Sequence, residues 1–313
     1  MGQGKRKKRK AIPQHPAHPY HWGQWLALAA LWLLARLPWR AALALGRATG
    51  GALYYLGGER RAIARLNLQV CFPDETPAWR ERLVRANWQA TGRAVAETAL
   101  AWYGGSQVER IPVRVTGEEH LHAARERGLP VIAMSGHLLS IELSARLLPE
   151  HIPLVVIYKP MKRRPVLDRA MLAARRRNLH GAMPRNDIRR LVRALRDGNV
   201  LWYAGDQDYR GRHRVMAPFF GHPAATVTAL GRLARMSHAA VIPLFFFREA
   251  DGSYLIEFQP ALEGFPSGDD VADATRMNQI LEAAIRRYPE QYLWMHRRFK
   301  RRDDGSASPY EQG

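Results

Sequence analysis

After Gly104-Gly105 the chain changes texture, and from there nearly to its end short, almost wholly apolar runs alternate with amphipathic stretches. The runs are residues 130–135, 153–158, 200–205, 241–247 and 254–258, and the first four are nearly all apolar. Runs of that length and composition suit strands covered on both faces. Between them, residues 141–148, 166–177, 188–197 and 226–236 carry apolar side chains at helical spacing, and a further helix is expected over 273–288. Strands alternating with helices predict an α/β sheet.

Upstream, residues 43–103 read as helices: Ala-rich at first, then 60–68, a break at Pro73-Asp74, and a long helix over 77–103. Further upstream still, Trp22, Trp25 and Trp32 interleave with Leu26, Leu28, Leu31, Leu33 and Leu34, and Arg36, Trp39 and Arg40 close the segment. Only residues 25–35 are continuously apolar, short for a spanning helix. Tryptophans with flanking cations are the usual membrane-interface anchors. Residues 20–42 are therefore expected to form a membrane-anchoring helix, either spanning the bilayer or lying in its interface. The domain reading is a basic, disordered arm over 1–19, the anchor over 20–42, a helical membrane-proximal segment over 43–105, one α/β catalytic domain over 106–302 and a tail over 303–313.

Charge narrows the partners. Among 313 residues, 48 Lys or Arg face 28 Asp or Glu, a formal balance of +20. Two stretches hold most of the excess. Lys5, Arg6, Lys7, Lys8, Arg9 and Lys10 form a run without an acid, and residues 159–196 hold thirteen Lys or Arg against Asp168 and Asp187. The first is either a solvated tail or a polybasic addition to the anchor that is drawn to anionic lipid. A nucleic-acid binder is the other class that such a balance invites. Stacking platforms for bases are missing, however, because residues 159–196 contain no Phe, Trp or Tyr. Phosphate groups suit these cations better than bases do. The single Cys71 excludes a disulfide framework and a Cys-rich zinc module and suits a reducing compartment. His15, His18 and His21, set among prolines, read as incidental and not as a metal tract.

The chemistry is carried by one turn. Residues 131–135 lead through Gly136 into His137, and a helix is expected to begin within a few residues. On one continuous helix His137 and Glu142 would stand roughly 140° apart. With His137 on the turn and Glu142 in the first helical turn, the carboxylate can instead accept from one imidazole nitrogen and leave the other as a general base. The plainer alternative is a satisfied turn histidine. A G-x-S-x-G elbow, a Walker loop, a G-x-G-x-x-G fingerprint and an H-E-x-x-H pair are all absent, and Cys71 has nothing basic immediately beside it. A histidine paired with a carboxylate, without a protein nucleophile, suits deprotonation of a substrate hydroxyl and its direct attack on an activated acyl carbonyl in a ternary complex.

Several motifs in one order then resemble a known family. They are the His137-x4-Glu142 box, Tyr158-Lys159-Pro160, the run Val200-Leu201-Trp202-Tyr203-Ala204-Gly205-Asp206-Gln207-Asp208-Tyr209, and Ala224-Ala225-Thr226. Asn67 to Pro73, Glu97 to Trp102 and the ending from Pro289 to Lys300 complete the set. Together they resemble the late acyltransferases of lipid A biosynthesis, above all the lauroyl-transferring kind that uses acyl carrier protein thioesters. The resemblance implies a single mixed-sheet α/β domain of the glycerol-3-phosphate acyltransferase type. It also implies a bacterial inner-membrane enzyme, facing the cytoplasm, that acylates a hydroxyacyl hydroxyl of a phosphorylated, Kdo-bearing lipid A precursor without a cofactor or metal. The myristoyl-transferring late enzyme and a glycerolipid acyltransferase are the same-chemistry alternatives. His137 is then the expected base and Glu142 its orienting partner. An arginine among Arg175, Arg176 and Arg177, with Arg177 favoured, is expected to polarise the thioester carbonyl or hold phosphate. Arg185 is a second candidate, and Lys159 stands where the family usually has Arg. Asp206 and Asp208, at the carboxyl end of a strand where sites gather in open sheets, are expected to orient Arg or substrate hydroxyls in preference to binding metal.

Overall fold

The apolar runs become the middle of a seven-stranded sheet. A computed structural model describes residues 12–13, 15–208, 213–303 and 305–311. Its sheet strands are β1 (Val113–Thr116), β2 (Val131–Ser135), β3 (Leu154–Tyr158), β4 (Gly181–Pro184), β5 (Val200–Ala204), β8 (Ala240–Arg248) and β9 (Tyr254–Phe258). A hairpin of β6 (Arg214–Phe219) and β7 (His222–Val227) stands apart from them. The sheet order is β1-β9-β8-β2-β5-β3-β4. Strands β8, β2, β5, β3 and β4 run parallel, whereas β9 turns back antiparallel to β8 and pairs with β1 parallel to itself. The sheet is therefore mixed.

The helices are α1 (Trp22–Leu34), α2 (Trp39–Leu56), α3 (Gly58–Cys71), α4 (Pro77–Tyr103), α5 (Glu118–Glu126), α6 (Ile141–Arg146), α7 (Pro165–Asn178), α8 (Ile188–Arg196), α9 (Ala229–Ser237) and α10 (Asp270–Arg287). They cover both faces of the sheet, which is why β2 has no polar alternation. Ile132 and Met134 enter one core layer with Leu233, Leu281 and Ile285, while Val131 and Ala133 enter the other with Leu121 and Ala145. The first layer also takes in Leu68 of α3 and Val84 and Trp88 of α4, so the helical segment shares a core with the sheet. Helices α2 and α4 approach backbone to backbone. A Cβ added to Gly50 would sit 2.2 Å from the Trp88 carbonyl oxygen, and one added to Gly92 would sit 2.2 Å from that of Gly46. Only glycine fits there.

Three expectations change. Residues 20–42 do not form one helix, because the chain breaks between Leu34 and Trp39 around Pro38, which lacks an N–H and disfavours helical geometry in the residue before it. Among the described residues no helix is long and apolar enough to cross a membrane. Residues 15–19 are folded, not a loose arm. The indole N–H groups of Trp22 and Trp25 donate to the carbonyls of Ala17 and Pro16 at 3.1 and 2.9 Å, as amphipathic indoles do when an acceptor is within reach. His21 is fully buried, bonded to the Pro13 carbonyl and to Gln24, whose own carbonyl oxygen caps α7 at Val166 and Leu167. The end of the chain also docks, with the Tyr310 hydroxyl reaching Asn67 and accepting from the Phe299 N–H at 3.1 Å. Finally, Thr226 and Val227 finish β7, and the helix expected over 226–236 starts at Ala229. The basic run at Lys5 to Lys10, and Tyr209, lie outside the described residues.

Candidate active site

Strands β2 and β5 are parallel neighbours in a register that pairs Ser135 with Ala204. His137 and Asp206 each lie two residues beyond that pair, past the carboxyl ends of their strands, so the register itself brings them together. Nδ1 of His137 lies 2.6 Å from Oδ1 of Asp206. Oδ2 of the same carboxylate accepts from the His137 backbone N–H at 3.0 Å and from the Tyr292 hydroxyl at 3.1 Å. Asp206 is buried, 4% exposed, and every bond it makes favours the ionised form. Burial alone would raise its pKa. The facing imidazole, the ring and backbone hydrogen bonds from His137, and the field of buried Arg298 outweigh that and hold the carboxyl well below its usual range.

The carboxylate fixes the histidine in turn. With Nδ1–H donating to Asp206, the proton-free nitrogen is Nε2, which has no hydrogen-bond partner among the described residues. The side chain keeps 31% of its surface, enough for a substrate to reach it. Burial opposes a charge on this ring, but attraction to Asp206 and the hydrogen bond to it prevail, and the pKa is raised above the ordinary histidine value. Trp202, on β5, stands edge-on to the ring at 6.4 Å between centroids. The result is an oriented, basic nitrogen at the mouth of a sheet.

Glu142 does not fill the role expected of it. It sits in the first turn of α6 with Oε1 against the guanidinium of Arg175 and Oε2 accepting from the Trp102 indole at 3.1 Å. Proximity in sequence put it near His137, but its carboxylate turns toward α7 and α4, and the histidine takes Asp206 instead. Arg177 is also placed differently from its expected role: its guanidinium donates to the Trp102 carbonyl. Together with Arg146, which donates to Leu100, Ala101 and Gly105, and Asn178, which donates to Ala101 at 2.7 Å, it caps the carbonyl end of α4. Cations belong there by the helix dipole. Asp208 pairs with Arg301, Nε to Oδ1 at 3.1 Å, and its backbone N–H donates to His296 Nε2 at 3.0 Å. Lys159, Arg176 and Arg185 lie on the exposed face around α7 and β4.

Tyr292, His296 and Arg298 were not singled out from the sequence as site residues, although all three fall in the ending that contributed to the resemblance. That ending is threaded back onto the catalytic turn. Leu138 bridges Tyr292, the Leu139 N–H donates to the Gln291 carbonyl at 2.8 Å, and the Leu293 N–H donates to the His137 carbonyl at 3.2 Å. Two helical asparagines hold it there: Asn87 Nδ2 donates to Glu290 and Tyr292, and Asn67 Nδ2 to Trp294 and His296. Arg298, 2% exposed, donates to the Ala225 carbonyl and to the Thr226 hydroxyl. Asn67 of α3 and Asn87 of α4 thus hold in place the segment from which Tyr292 reaches Asp206.

The sequence model of the family described as bacterial lipid A biosynthesis acyltransferase matches residues 9–301. The chain is 35% identical over 291 residues to the lipid A biosynthesis palmitoleoyltransferase of Escherichia coli (strain K12), covering 92% of this chain and 94% of that one. It is 34% identical over 293 residues to the lauroyltransferase of the same organism, covering 92% and 95%, and 30% identical over 297 residues to its myristoyltransferase, covering 93% and 91%. Among solved structures, the 1-acyl-sn-glycerophosphate acyltransferase PlsC from Thermotoga maritima overlaps 79% of this chain and 95% of its own at a TM-score of 0.37 and 13% identity.

Proposed function

The chain belongs to the bacterial lipid A biosynthesis acyltransferases and is an acyltransferase of that pathway, and we propose that it transfers laurate from an acyl carrier protein thioester to a hydroxyacyl hydroxyl of a phosphorylated, Kdo-bearing lipid A precursor. The observation that carries the mechanism is the His137–Asp206 pair, whose Nε2 is open to a substrate. Nε2 takes the proton from the acceptor hydroxyl as its oxygen attacks the thioester carbonyl. Asp206 stabilises the imidazolium that forms. That attack makes the C–O bond of the new ester; the tetrahedral intermediate then collapses, the carbonyl re-forms as the C–S bond breaks, and the departing thiolate takes the proton back from Nε2. No acyl group is parked on the protein, in keeping with a site whose central residue is a base and not a nucleophile.

The cations take the charges of the two substrates. Arg175, steered by Glu142, is the guanidinium we assign toward the developing oxyanion or a phosphate, and Lys159, Arg176 and Arg185 offer exposed charge for phosphates of the precursor and for the acidic carrier protein. The test is an acyl-transfer assay with purified enzyme, the tetra-acylated Kdo-bearing acceptor and lauroyl, myristoyl and palmitoleoyl carrier-protein thioesters. Transfer should be fastest from the lauroyl thioester. A faster myristoyl or palmitoleoyl thioester would reassign the donor, and no transfer from any of them would remove the reading.

We place the protein at the cytoplasmic face of the bacterial inner membrane. Trp22, Trp25, Leu26, Trp32 and Leu33 are all more than 40% exposed on α1, and Arg36 stacks on Trp32 with its Cζ 4.4 Å from the ring centroid. Such a face suits a helix lying in the interface beside anionic headgroups. Replacing Trp25, Leu26 and Leu33 together with Glu should lower co-sedimentation with phosphatidylglycerol-containing vesicles at least tenfold while preserving the circular dichroism spectrum. Unchanged sedimentation would place the membrane contact elsewhere. Substitution is preferable to truncation because Gln24 and Leu28 of the same helix are buried against the rest of the protein.

A further inference from the structure

Away from the catalytic turn, Glu118 opens α5, His122 lies one turn along the same face, and His151 arrives from the turn between α6 and β3. One donor atom from each lies within 4.8 Å of the other two. Nε2 of His122 is 3.2 Å from Oε1 of Glu118, and Nε2 of His151 meets the same oxygen. The two imidazoles stack, 6.4 Å between centroids with planes 12° apart. We propose that Glu118, His122 and His151 form a binding site for a divalent transition-metal ion of the zinc class.

One pair of the three already has the spacing that such an ion requires. Ligand atoms about 2.0–2.1 Å from a tetrahedral zinc stand roughly 3.3 Å from one another, and the Glu118–His122 pair is already at that separation. Residues four apart on a helix share a face, so α5 supplies two ligands without backbone rearrangement. Two imidazoles with one carboxylate select zinc, nickel or copper over magnesium and calcium, which call for oxygen ligands. Both histidine side chains are more than half exposed, 52% for His122 and 57% for His151, so an ion can enter from solvent, and three protein ligands leave a position for water.

Topology separates this site from acyl transfer. Strand β1 runs opposite to β2, so the chain reaches Glu118 heading away from the carboxyl ends of the parallel strands, and His151 lies just before the amino end of β3. His137 and Asp206 lie past the carboxyl ends of those strands. An ion held here would add a tie between α5 and the α6–β3 turn, which already share a core layer through Leu121, Leu148 and Ile152, and would stabilise the fold without meeting the substrate. Binding to the folded state alone raises the unfolding temperature with metal concentration.

The experiment is a zinc chloride titration of the full-length protein by isothermal calorimetry, with thermal unfolding in zinc chloride or magnesium chloride. Wild type is compared with the double variant His122→Ala/His151→Ala, shown to be folded by circular dichroism. The readout is the difference between the two proteins, so that zinc held elsewhere on the chain cancels. Wild type should bind one equivalent more than the double variant, or bind it at least tenfold more tightly. Its unfolding temperature should rise with zinc and not with magnesium, and the rise should vanish in the double variant, whose acyl transfer without added metal stays at the wild-type rate. Equal stoichiometry and affinity in the two proteins, or an unfolding temperature in wild type that zinc does not move, would overturn the assignment.

Discussion

Replacing His137 with Ala should lower kcat/KM for acyl transfer on the order of 10² to 10⁴-fold, the usual contribution of a positioned general base, while the protein stays folded. The folded state should survive because Asp206 keeps two of its three partners: the residue 137 backbone N–H and the Tyr292 hydroxyl remain after the ring is gone. Only a partly exposed side chain is removed. The pH profile of the wild type gives a second check. A base works when unprotonated, and the His137 pKa is raised above the ordinary value of about 6.5. Activity should therefore fall as pH drops through a midpoint above that value. Steady-state rates for both proteins, with circular dichroism to verify folding, decide the matter. Transfer by the His137→Ala protein within a few-fold of wild type would end the proposal that this ring is the base.

How much of this was legible beforehand differs from element to element. The strand leading to His137 could be read because both faces of β2 are buried, so its residues are uniformly apolar. Asp206 could be read as lying at a strand end for the same reason. Their partnership could not, since sequence order does not say that β5 lies beside β2 with β3 and β4 beyond it. Glu142 drew attention by its spacing from His137, but spacing fixes backbone proximity and not the direction of a side chain, and Arg175 and Trp102 claim its two oxygens. The β6–β7 hairpin was missed for a chemical reason: its turn is Phe220-Gly221, with positive φ at both (49° and 75°), and Phe is not a residue that announces such a turn. Tyr292 and Arg298 could not be singled out within the ending because the contacts that give them meaning, to residues 206 and 225–226, lie more than seventy residues away in sequence.

Replacing Asp206 with Asn should be nearly as damaging as losing the histidine, because an amide cannot satisfy the three groups that the carboxylate satisfies. With the amide oxygen toward Nδ1–H, its NH₂ group faces the His137 backbone N–H, a donor against a donor, where the carboxylate now accepts at 3.0 Å. Flipped, the oxygen accepts from the backbone and the NH₂ donates to Nδ1, which drives the ring proton to Nε2 and consumes the lone pair that the reaction needs. In either orientation the negative charge that stabilises the imidazolium is gone. The expected loss in kcat is on the order of 10³ to 10⁴-fold, the scale seen when a buried carboxylate no longer fixes a catalytic imidazole in the right tautomer. Two further shifts follow from the signs. The residual activity should have its acid limb displaced to lower pH, since the Asp206 charge is what raises the His137 pKa. The pair also contributes stability in both directions of charge. The raised histidine pKa adds stability that is fully present below about pH 6.5 and lost as pH rises through the raised value. The depressed Asp206 pKa adds stability that is present above about pH 4 and lost as pH falls through the depressed value. The Asn variant should therefore lose most stability between about pH 4 and 6.5, where wild type has both contributions. Urea unfolding at pH 5 and at pH 9 separates this from a general loss of packing, which would lower stability equally at both. A variant with near-normal kcat, or with the same stability deficit at the two pH values, would show that Asp206 does not orient His137 as the geometry requires.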